Sequence, residues 1–289
     1  MINKTESVLA RRYRIRHETS FSYDAEVSAS YNEVRMTPVS NDHQIAADNR
    51  IVVRPASTSY RYRDYWGTIV HAFDTSAPHR ELRVVASSLV DTRTGSGRSG
   101  EPAGWDGLKD PKIRDGYAEW LIQTSRTEPD AELRELAAEV VRGATPGEAA
   151  RAASEFVHDK IDYVPGVTGV HSRIGDVWSE RKGVCQDIAH LTIMLLRLAG
   201  IPARYVSGYL HPKADAEVGE TVTGQSHAWV EWWDGDWTAF DPTNAIPAGE
   251  RHVIVGHGRE YGDVTPFKGL YSGSAGSTLE VTVQIARLF

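Results

Sequence analysis

The sequence predicts an α+β protein built from an N-terminal β-sandwich-like domain and a second domain that combines helices with an antiparallel sheet. Residues 13–92 alternate apolar and polar side chains in the manner of strands and show no helical spacing. Helical patterns and then strands follow, an order that favours an α+β domain. We place the first domain at residues 1–95, a Gly- and Ser-rich linker at 96–111 and the second domain at 112–289.

The strand prediction for the first domain depends mainly on the run YRIRHETSFSY. Its alternate residues Tyr13, Ile15, His17, Thr19 and Phe21 share one face of an extended chain. The runs RIVVRP, SYRYRDYWG and ELRVVASSLV alternate in the same way, and prolines and turn residues separate them. A sandwich of short antiparallel strands is therefore expected.

Three helices are predicted in the second domain. A cap within residues 127–130 opens the first, and the capping box Thr145-Pro-Gly-Glu148 opens the second with proline at its first position. The third begins near Cys185, has a broad apolar face and ends where Gly200 and Pro202 follow. Strands are expected at residues 204–210, 227–233, 237–240 and 278–286.

Composition and charge exclude several classes of function. The formal net charge of −7 opposes nucleic-acid binding, which needs a basic face. No apolar run approaches the ~18–20 residues that span a bilayer, and the N-terminus lacks the apolar core of a signal peptide. A single cysteine cannot form an internal disulfide. We therefore expect a cytoplasmic protein without membrane or nucleic-acid partners.

The only cysteine, Cys185, follows Gly183 and Val184 at the predicted start of the third helix. A helix N-terminus favours negative charge, so the position suits a thiolate, and free amides there could bind an oxyanion. A lone cysteine is nevertheless more often a small buried apolar residue. The helix position alone leaves both interpretations open and favours the structural one.

A nucleophilic thiol needs a base, and two histidines are candidates. His190 lies five residues after Cys185, roughly 140° around a helix with ~100° per residue, so we interpret it as a packed core histidine. His227 opens the strand HAWVEWW and is the better candidate. Its orienting acid would be Asp241 in the following strand.

The turn between these two strands tests that assignment. A two-residue Asp-Gly turn would point Asp241 to the face opposite His227. A three-residue loop at residues 233–235 pairs Trp232 with Asp236 and sets His227 directly opposite Asp241, with Cβ atoms roughly 5 Å apart. A catalytic Cys-His-Asp arrangement therefore predicts a three-residue turn or an equivalent bulge. The alternative role of Asp241 is that of a turn aspartate before proline.

Other candidate sites are weaker. His252 and His257 lie five residues apart, which is poor geometry for a metal site, and no HExxH motif is present. The chain also lacks a Walker motif and GxGxxG, so we expect no metal and no cofactor. Four tryptophans crowd one hairpin and are expected mostly in the core, although one could line a groove: Trp229, Trp232, Trp233 and Trp237.

Several segments strongly resemble the bacterial branch of the transglutaminase-like superfamily. They are GVCQDIAHLTIMLLRLAGIPARYVSGYL, SHAWVEWWDGDWTAFDPTN, GREYGDVTPFKGLYSG and, for that branch's N-terminal region, RIRHETSFSYDAEVSASYNEVRMTP and DYWG…HRELRVVASS. The resemblance covers nearly the whole chain after about residue 12. It implies a papain-like α+β core with a Cys-His-Asp triad, which falls on Cys185, His227 and Asp241.

The resemblance also implies an oxyanion side chain upstream of the cysteine. Tyr163 and Trp178 are the candidates, and Tyr163 could equally be a core aromatic. Gln186 and Asp187 belong to the motif without a clear role, and Asp187 could simply cap the helix. Gln186 is kept as a substrate-site candidate.

The function that follows is a cysteine-dependent amide hydrolase or acyl transferase acting on peptide or glutamine carboxamides through a thioester. One triad serves both reactions, and we favour hydrolysis over protein crosslinking. The resemblance also implies a place in a peptide-processing system with ATP-grasp-like or proteasome-like partners. The remaining alternative is a non-catalytic binding module, which an unreactive Cys185 would support.

Overall fold

The computed structural model describes residues 9–93, 100–143, 145–166, 173–224 and 226–289, and it confirms the α+β class. Two antiparallel sheets form a sandwich. The order of the first sheet is β10-β16-β1-β6-β3, from β1 (Leu9–Val27), β3 (Gln44–Arg54), β6 (His79–Arg93), β10 (Thr221–Gly224) and β16 (Ser277–Arg287). The order of the second is β15-β2-β5-β4, from β2 (Ala29–Val34), β4 (Ser59–Arg63), β5 (Ile69–Thr75) and β15 (Phe267–Ser272).

Strand β1 shows the alternation that its sequence predicts. Tyr13, Ile15, His17 and Thr19 are almost completely buried, whereas Arg14 between them is exposed. The middle of this strand packs towards the second sheet, where the core includes Tyr23, Val27, Val34, Met36, Phe73, Leu82 and Val84. Burial of these apolar faces is the main stabilisation of a sandwich.

The C-terminal strand returns to this sandwich. The sequence analysis places residues 278–286 in the second domain, but β16 pairs with β1 from Tyr13↔Arg287 to Tyr23↔Ser277. Alternation identifies a strand without identifying its partner, which is why the sequence did not reveal this pairing. Residues 1–8, 94 and 95 of the predicted first domain and residues 96–99 of the predicted linker lie outside the described residues.

The second domain contains the predicted helices and additional short ones. They are α1 (Gly104–Gly107), α2 (Pro111–Gly116), α3 (Ala131–Val140), α4 (Pro146–Lys160), α5 (Ile174–Glu180) and α6 (Cys185–Leu198). The predicted caps are present: Asp130 accepts the N–H of Leu133, and Thr145 and Glu148 form a capping box. In the described part of the chain, no helix combines the length and hydropathy needed to cross a bilayer.

A third antiparallel sheet carries the second domain, in the order β13-β12-β11-β9-β14. Its strands are β9 (Ala203–Leu210), β11 (Ser226–Trp233), β12 (Trp237–Asp241), β13 (Ile246–Pro247) and β14 (His252–Gly258). The two-residue strands β7 (Asp162–Tyr163) and β8 (Lys182–Gly183) form a separate parallel pair. Helix α6 is buried over nearly its whole length. It packs on the sheet face that carries Tyr205, Ala228, Val230, Trp232 and Phe240.

Trp229 packs on the opposite face of this sheet with Val206 and Ile254. Tyr209 lies four residues after Tyr205 on β9, so its side chain is on the same side of the sheet as α6. It packs in one cluster with Tyr13 of β1, so the first sandwich contacts the sheet directly. The N-terminal strands thus form part of the surroundings of the second-domain sheet.

Candidate active site

Cys185 occupies the first position of α6 and is half-buried as a free thiol. Strand β8 leads into it through Gly183, where an added Cβ atom would lie 3.0 Å from the Cβ of Asp187 and 3.1 Å from Val177. Only a glycine fits this approach without displacement. Asp187 Oδ2 accepts the N–H of Val184 at 2.9 Å, which is the capping role that the sequence suggested as the simpler one.

The first turn of α6 places unshared backbone donors beside the thiol. N–H groups at the first positions of an α-helix have no partner within the helix. In α6 these positions belong to Cys185 and Gln186. The helix N-terminus therefore presents both a nucleophile and donors suited to a developing oxyanion.

His227, near the start of β11, lies between the thiol and a carboxylate. Its Nε2 is 2.7 Å from Oδ2 of Asp241, and the Cys185 thiol lies within hydrogen-bonding reach of the same imidazole. Because Nε2 faces Asp241, Nδ1 is the nitrogen left for the thiol. The structure therefore brings together the three residues that the sequence analysis grouped.

The surroundings of His227 stabilise its protonated form. Burial lowers the pKa of this imidazole, but hydrogen bonds and negative charge from Asp241 and Cys185 raise it to about 10. An imidazolium held between a thiolate and a carboxylate can donate a proton to a leaving group. Once it has lost that proton it can act as a base.

The hairpin differs from the predicted one in position but not in length. Trp233 pairs with Trp237, so the three-residue loop spans residues 234–236 and not residues 233–235. The predicted pairing of Trp232 with Asp236 is therefore wrong. Trp233 stays in the ladder because its N–H bonds to the carbonyl of Pro202 at 2.9 Å and its ring packs on Tyr117.

An odd-numbered loop still keeps His227 and Asp241 on one face. Continuing the observed register sets Trp229 opposite Asp241, and His227 is the diagonal neighbour. A diagonal pair is within reach of long side chains. The prediction that His227 and Asp241 share a face is confirmed, whereas the prediction that they lie directly opposite each other is wrong.

Asp241 is completely buried at the end of β12. Five donors among the described residues bind its carboxylate. Oδ1 accepts the backbone N–H groups of Thr243 and Asn244, and Oδ2 accepts bonds from His227, His252 and the Asn244 amide. Burial raises the pKa of Asp241, but these side-chain bonds hold it well below its usual range.

Sequence reasoning missed His252 and Asn244 as members of this site. His252 Nδ1 accepts the N–H of Gly249 at 3.2 Å, which fixes its proton on Nε2, and Nε2 lies 3.2 Å from Asp241. Burial lowers the pKa of His252, so it is a neutral donor. Only the fold brings the start of β14 to the end of β12. The signal available for Asn244 was its place in the turn DPTN.

These side chains also define where a metal ion could be held. Within the described residues, one ligand atom each from His227, Asp241 and His252 lies within 4.8 Å of the others. A cation there would replace the Nε2 protons of both imidazoles. Since the Gly249 N–H fixes the His252 proton on Nε2, hydrogen bonding accounts for this cluster without a metal ion. His257 lies elsewhere, beside Glu231.

His190 is a packed core residue, as its helical position predicts. Its Nε2 accepts the N–H of Tyr261 at 3.1 Å, and its ring lies 5.1 Å from that of Tyr205. Complete burial, with nearby positive charge, lowers the His190 pKa to about 3. An imidazole that is completely buried and whose Nε2 already accepts an N–H is a poor base for the thiol.

The three candidates for oxyanion or substrate binding, Tyr163, Gln186 and Trp178, lie in different surroundings. Tyr163 pairs across β7–β8 with Gly183, and burial together with the charge of Cys185 raises the pKa of its hydroxyl. Gln186 is buried in the first helical turn. Trp178 is buried in the helical core, and its indole N–H donates to Glu132 at 2.8 Å. This contact gives Trp178 a packing role, and its place as an oxyanion candidate stays a prediction.

Two further tyrosines lie close enough to the thiol for its charge to influence them. Burial is the largest cause of the raised pKa of both Tyr205 and Tyr261, and the Cys185 charge contributes to each. His190 connects the two residues: its ring is tilted against the ring of Tyr205, and its Nε2 accepts the backbone N–H of Tyr261. Tyr261 comes from the GREYGDV segment, so that segment lies at the site.

Comparison with protein families gives two matches. Residues 13–91 match the bacterial transglutaminase-like N-terminal region, and residues 134–242 match the transglutaminase-like superfamily. The second match includes all three residues of the Cys-His-Asp group.

Individual relatives extend this likeness. An uncharacterized protein of Mycobacterium leprae is 46% identical over 281 residues, covering 96% of this chain and 99% of the relative. A protein-glutamine gamma-glutamyltransferase of Pseudomonas aeruginosa is 33% identical over 97 residues, 32% of this chain and 14% of that protein. The crystal structure of a candidate cysteine protease from Cytophaga hutchinsonii shares the fold, with a TM-score of 0.78, 22% identity and coverage of 98% and 92% of the two chains.

Proposed function

The chain belongs to the transglutaminase-like superfamily, and on that basis we propose that it is a cysteine-dependent amide hydrolase acting on peptide or glutamine carboxamides. The observation that carries this proposal is the line of contacts from Cys185 through His227 to Asp241, with 2.7 Å between the imidazole and the carboxylate. A buried acceptor, an imidazole and a thiol at a helix N-terminus form an activated nucleophile.

In the first step the Cys185 thiolate attacks the carboxamide carbon and forms a C–S bond. The electron pair of the carbonyl moves to oxygen and returns as the C–N bond breaks. His227 Nδ1 gives its proton to the departing nitrogen, which leaves as ammonia or an amine. Asp241 keeps the imidazole oriented throughout because its Oδ2 is bound to Nε2.

The tetrahedral oxyanion needs donors near the thiol. The first-turn N–H groups of α6 supply backbone donors, and we assign the Tyr163 hydroxyl as the side-chain donor. A tyrosine hydroxyl is protonated at neutral pH, and the raised pKa of Tyr163 strengthens that preference, so it can donate. Tyr163 remains about half exposed, at 46%, which suits a group that meets an incoming substrate.

In the second step water attacks the thioester while His227, now neutral, takes its proton. The acid product leaves and the thiolate is regenerated. Hydrolysis is favoured over amine transfer because Tyr163 and the half-buried Cys185 open towards solvent. The name of the Pseudomonas relative, a protein-glutamine gamma-glutamyltransferase, makes the glutamine side chain the amide to test first.

The test is incubation of the protein with a glutamine-containing peptide library and a primary amine, followed by mass spectrometry. Ammonia loss, backbone cleavage and amine incorporation give different masses. We expect the first or second product, with none from Cys185→Ala. The His227→Gln variant should lose turnover while His158→Gln, which changes an exposed histidine, keeps it.

Each outcome of this experiment decides a separate point. Products that persist in Cys185→Ala would contradict the nucleophile assignment. Amine incorporation as the main product would replace hydrolysis with crosslinking. Iodoacetamide labelling of Cys185 no faster than that of a model thiol, together with no turnover, would favour a non-catalytic module. ATP-grasp-like or proteasome-like partners and a cytoplasmic location stay predictions.

A further inference from the structure

Strand β3 is a free edge of the first sheet. Its residues 50–54 pair with β6 on one side only, because no strand lies beyond β3 in the sheet order. The N–H and C=O groups on the free side of such an edge have no ladder partner and can pair with an added strand. In the described part of the chain, no other segment hydrogen-bonds to the backbone of residues 50–54. The edge is therefore open to a further strand.

Arginine and valine alternate along the outer face of this edge. Arg50, Val52 and Arg54 pair with residues of β6 that lie between its buried ones, and both arginines are exposed. Beside them lies a cavity of about 200 Å³. Two valines that pair across β3 and β6 line it together with three arginines: Val52, Val85, Arg16, Arg54 and Arg83. The edge thus combines an apolar centre with positive charge on both sides.

The positive charge at this edge is not neutralised from within the sheet. Glu18 of β1 accepts hydrogen bonds from Arg16 and Arg83, but it lies two strands from β3, roughly 10 Å at the usual strand spacing. Arg54 stands directly opposite Arg83, an arrangement in which like charges repel each other. Among the described residues, neither Arg50 nor Arg54 forms an ion pair.

Two further carboxylates border this patch. Glu81 is the next outward-facing residue of β6 beyond Arg83, and Asp48 lies in the bulge of β3 before Arg50. A strand added beside β3 would meet Arg50 and Arg54 at cross-strand distances of about 5 Å, well inside the ~8 Å over which physiological salt screens a charge. The charge that an incoming strand meets at closest range is therefore positive.

We propose that the β3 edge binds an extended acidic segment of a partner protein as an additional strand. Side chains on one face of a strand recur every second residue. Carboxylates at positions i and i+4 of the added strand would lie beside Arg54 and Arg50, and an apolar residue at i+2 would lie beside Val52. The guanidinium fork matches a carboxylate, and the added backbone would satisfy the free groups of β3.

A second copy of this chain fits the same edge poorly. Antiparallel self-pairing centred on Val52 would set Arg50 of each copy against Arg54 of the other. Like charges directly opposite each other destabilise a strand pair, and natural sheets use charged edges to prevent such association. The two arginines that oppose self-pairing are the ones that favour an acidic strand.

The experiment is a fluorescence-anisotropy titration of the full chain against fluorescein-labelled peptides. The acidic probe is Thr-Glu-Thr-Val-Thr-Glu-Thr, and Thr-Thr-Thr-Val-Thr-Thr-Thr is its neutral control. A third peptide, Thr-Glu-Thr-Val-Glu-Thr-Thr, keeps both carboxylates but turns one to the opposite face. We expect the acidic probe to bind about tenfold more tightly than the neutral one and several-fold more tightly than the third, because each exposed ion pair contributes a few-fold. Its affinity should fall as salt is added.

Strand addition is tested with two forms of the acidic probe that are methylated on alternate backbone nitrogens, one on the odd and one on the even residues. Only one set of N–H groups faces β3 in an added strand. One form should therefore lose saturable binding while the other keeps it. Equal binding by both forms would contradict strand addition.

The key variant is Arg54→Gln, which should fold because it removes one of two like charges that face each other. Its matched control is Arg61→Gln, since Arg61 is an exposed arginine on β4, the edge strand of the second sheet. We expect the preference for the acidic probe to fall several-fold in Arg54→Gln and to stay unchanged in Arg61→Gln. Arg50→Glu combined with Arg54→Glu should transfer the preference to Thr-Lys-Thr-Val-Thr-Lys-Thr, which a purely structural role of these arginines would not do.

Equal binding of the acidic and neutral probes, equal effects of the two single variants, or no saturable binding would overturn the proposal. The last result would leave Arg50 and Arg54 as charges that keep the edge from pairing with other strands. The titrations are repeated with Cys185→Ala, since Cys185 does not line the cavity. Binding that persists there separates this site from the proposed amide hydrolysis, so either proposal can fail without the other.

Discussion

Replacing Asp241 by asparagine should remove the carboxylate that stabilises the protonated form of His227. In the native chain the imidazole is almost completely buried, yet its pKa is raised to about 10 by Asp241 and Cys185. In Asp241→Asn the buried imidazole loses its carboxylate partner. We expect the His227 pKa to fall towards or below its ordinary value of about 6.5.

The size of the effect follows from the structure. Raising a pKa from 6.5 to about 10 corresponds to about 5 kcal/mol, and the hydrogen bond to Asp241 is the largest of the interactions that raise it. Because the folded pKa is above the unfolded one, this stability is complete below pH 6.5 and is lost as pH rises through 10. With the variant imidazole at about 6.5, the difference in unfolding free energy between native protein and variant should therefore shrink by about 4 kcal/mol from pH 6 to pH 10.

Asp241→Asn should also lose unfolding free energy in a way that does not depend on pH. The variant amide keeps one oxygen for the N–H groups of Thr243 and Asn244, so its NH₂ group faces the donors at Oδ2. Donors left without an acceptor cost about 1–3 kcal/mol each. Amide hydrolysis should fall by about 10⁴-fold in kcat, because a misoriented imidazole cannot exchange protons with the thiol and the leaving group.

The assay is urea unfolding at several pH values between 6 and 10, with NMR titration of His227. Asp64→Asn is the matched control, since Asp64 accepts the N–H groups of Trp66 and Thr68 and one bond from Arg35. An arginine does not titrate in this range, so the Asp64→Asn loss should be constant with pH. A constant loss for Asp241→Asn as well, with native His227 neutral at pH 7, would refute the ion-pair reasoning.

The remaining predictions test other members of the site. Tyr163→Phe should lower kcat about a hundredfold, whereas Trp178→Phe should keep kcat and lose about 1–2 kcal/mol of stability, measured by peptide hydrolysis and urea unfolding. His190→Leu should lose about 1–3 kcal/mol at pH 7, because the N–H of Tyr261 is left without its acceptor. That loss should shrink below pH 6.5. The His190 pKa is about 3 in the folded protein and about 6.5 in the unfolded chain, so acid favours unfolding of the protein with His190 but not of the leucine variant. Gly183→Ala should lose about 1–3 kcal/mol and most turnover, because the added methyl displaces the chain before the cysteine; activity kept at native stability would count against that packing argument.

Much of the fold could be predicted because local rules decide it. The capping box at Thr145 and the burial alternation along β1 depend on residues close in sequence, and both are present. The pairing of β16 with β1 joins residues from the two ends of the chain. Nothing in the sequence of either strand identifies the other as its partner, so this part required the structure.

The candidate site divides in the same way. Cys185 and the same-face arrangement of His227 and Asp241 follow from a helix start and an odd-numbered loop. The exact register does not, because Trp233 is held in the ladder by Pro202 from another strand connection. His252 was considered only as a metal ligand, since its contact with Asp241 depends on how β14 is placed.

The two histidines on Asp241 show how one carboxylate supports two different protonation states. Both present Nε2 to Oδ2, yet the pKa of His227 is raised and that of His252 is lowered. The difference lies at Nδ1: in His227 this nitrogen is left for the Cys185 thiol, whose negative charge favours a proton there, and in His252 it accepts the N–H of Gly249 and must stay unprotonated. The positive charge of His227 further lowers the His252 pKa. His252 can therefore orient the carboxylate without competing for the proton that the proposed reaction uses.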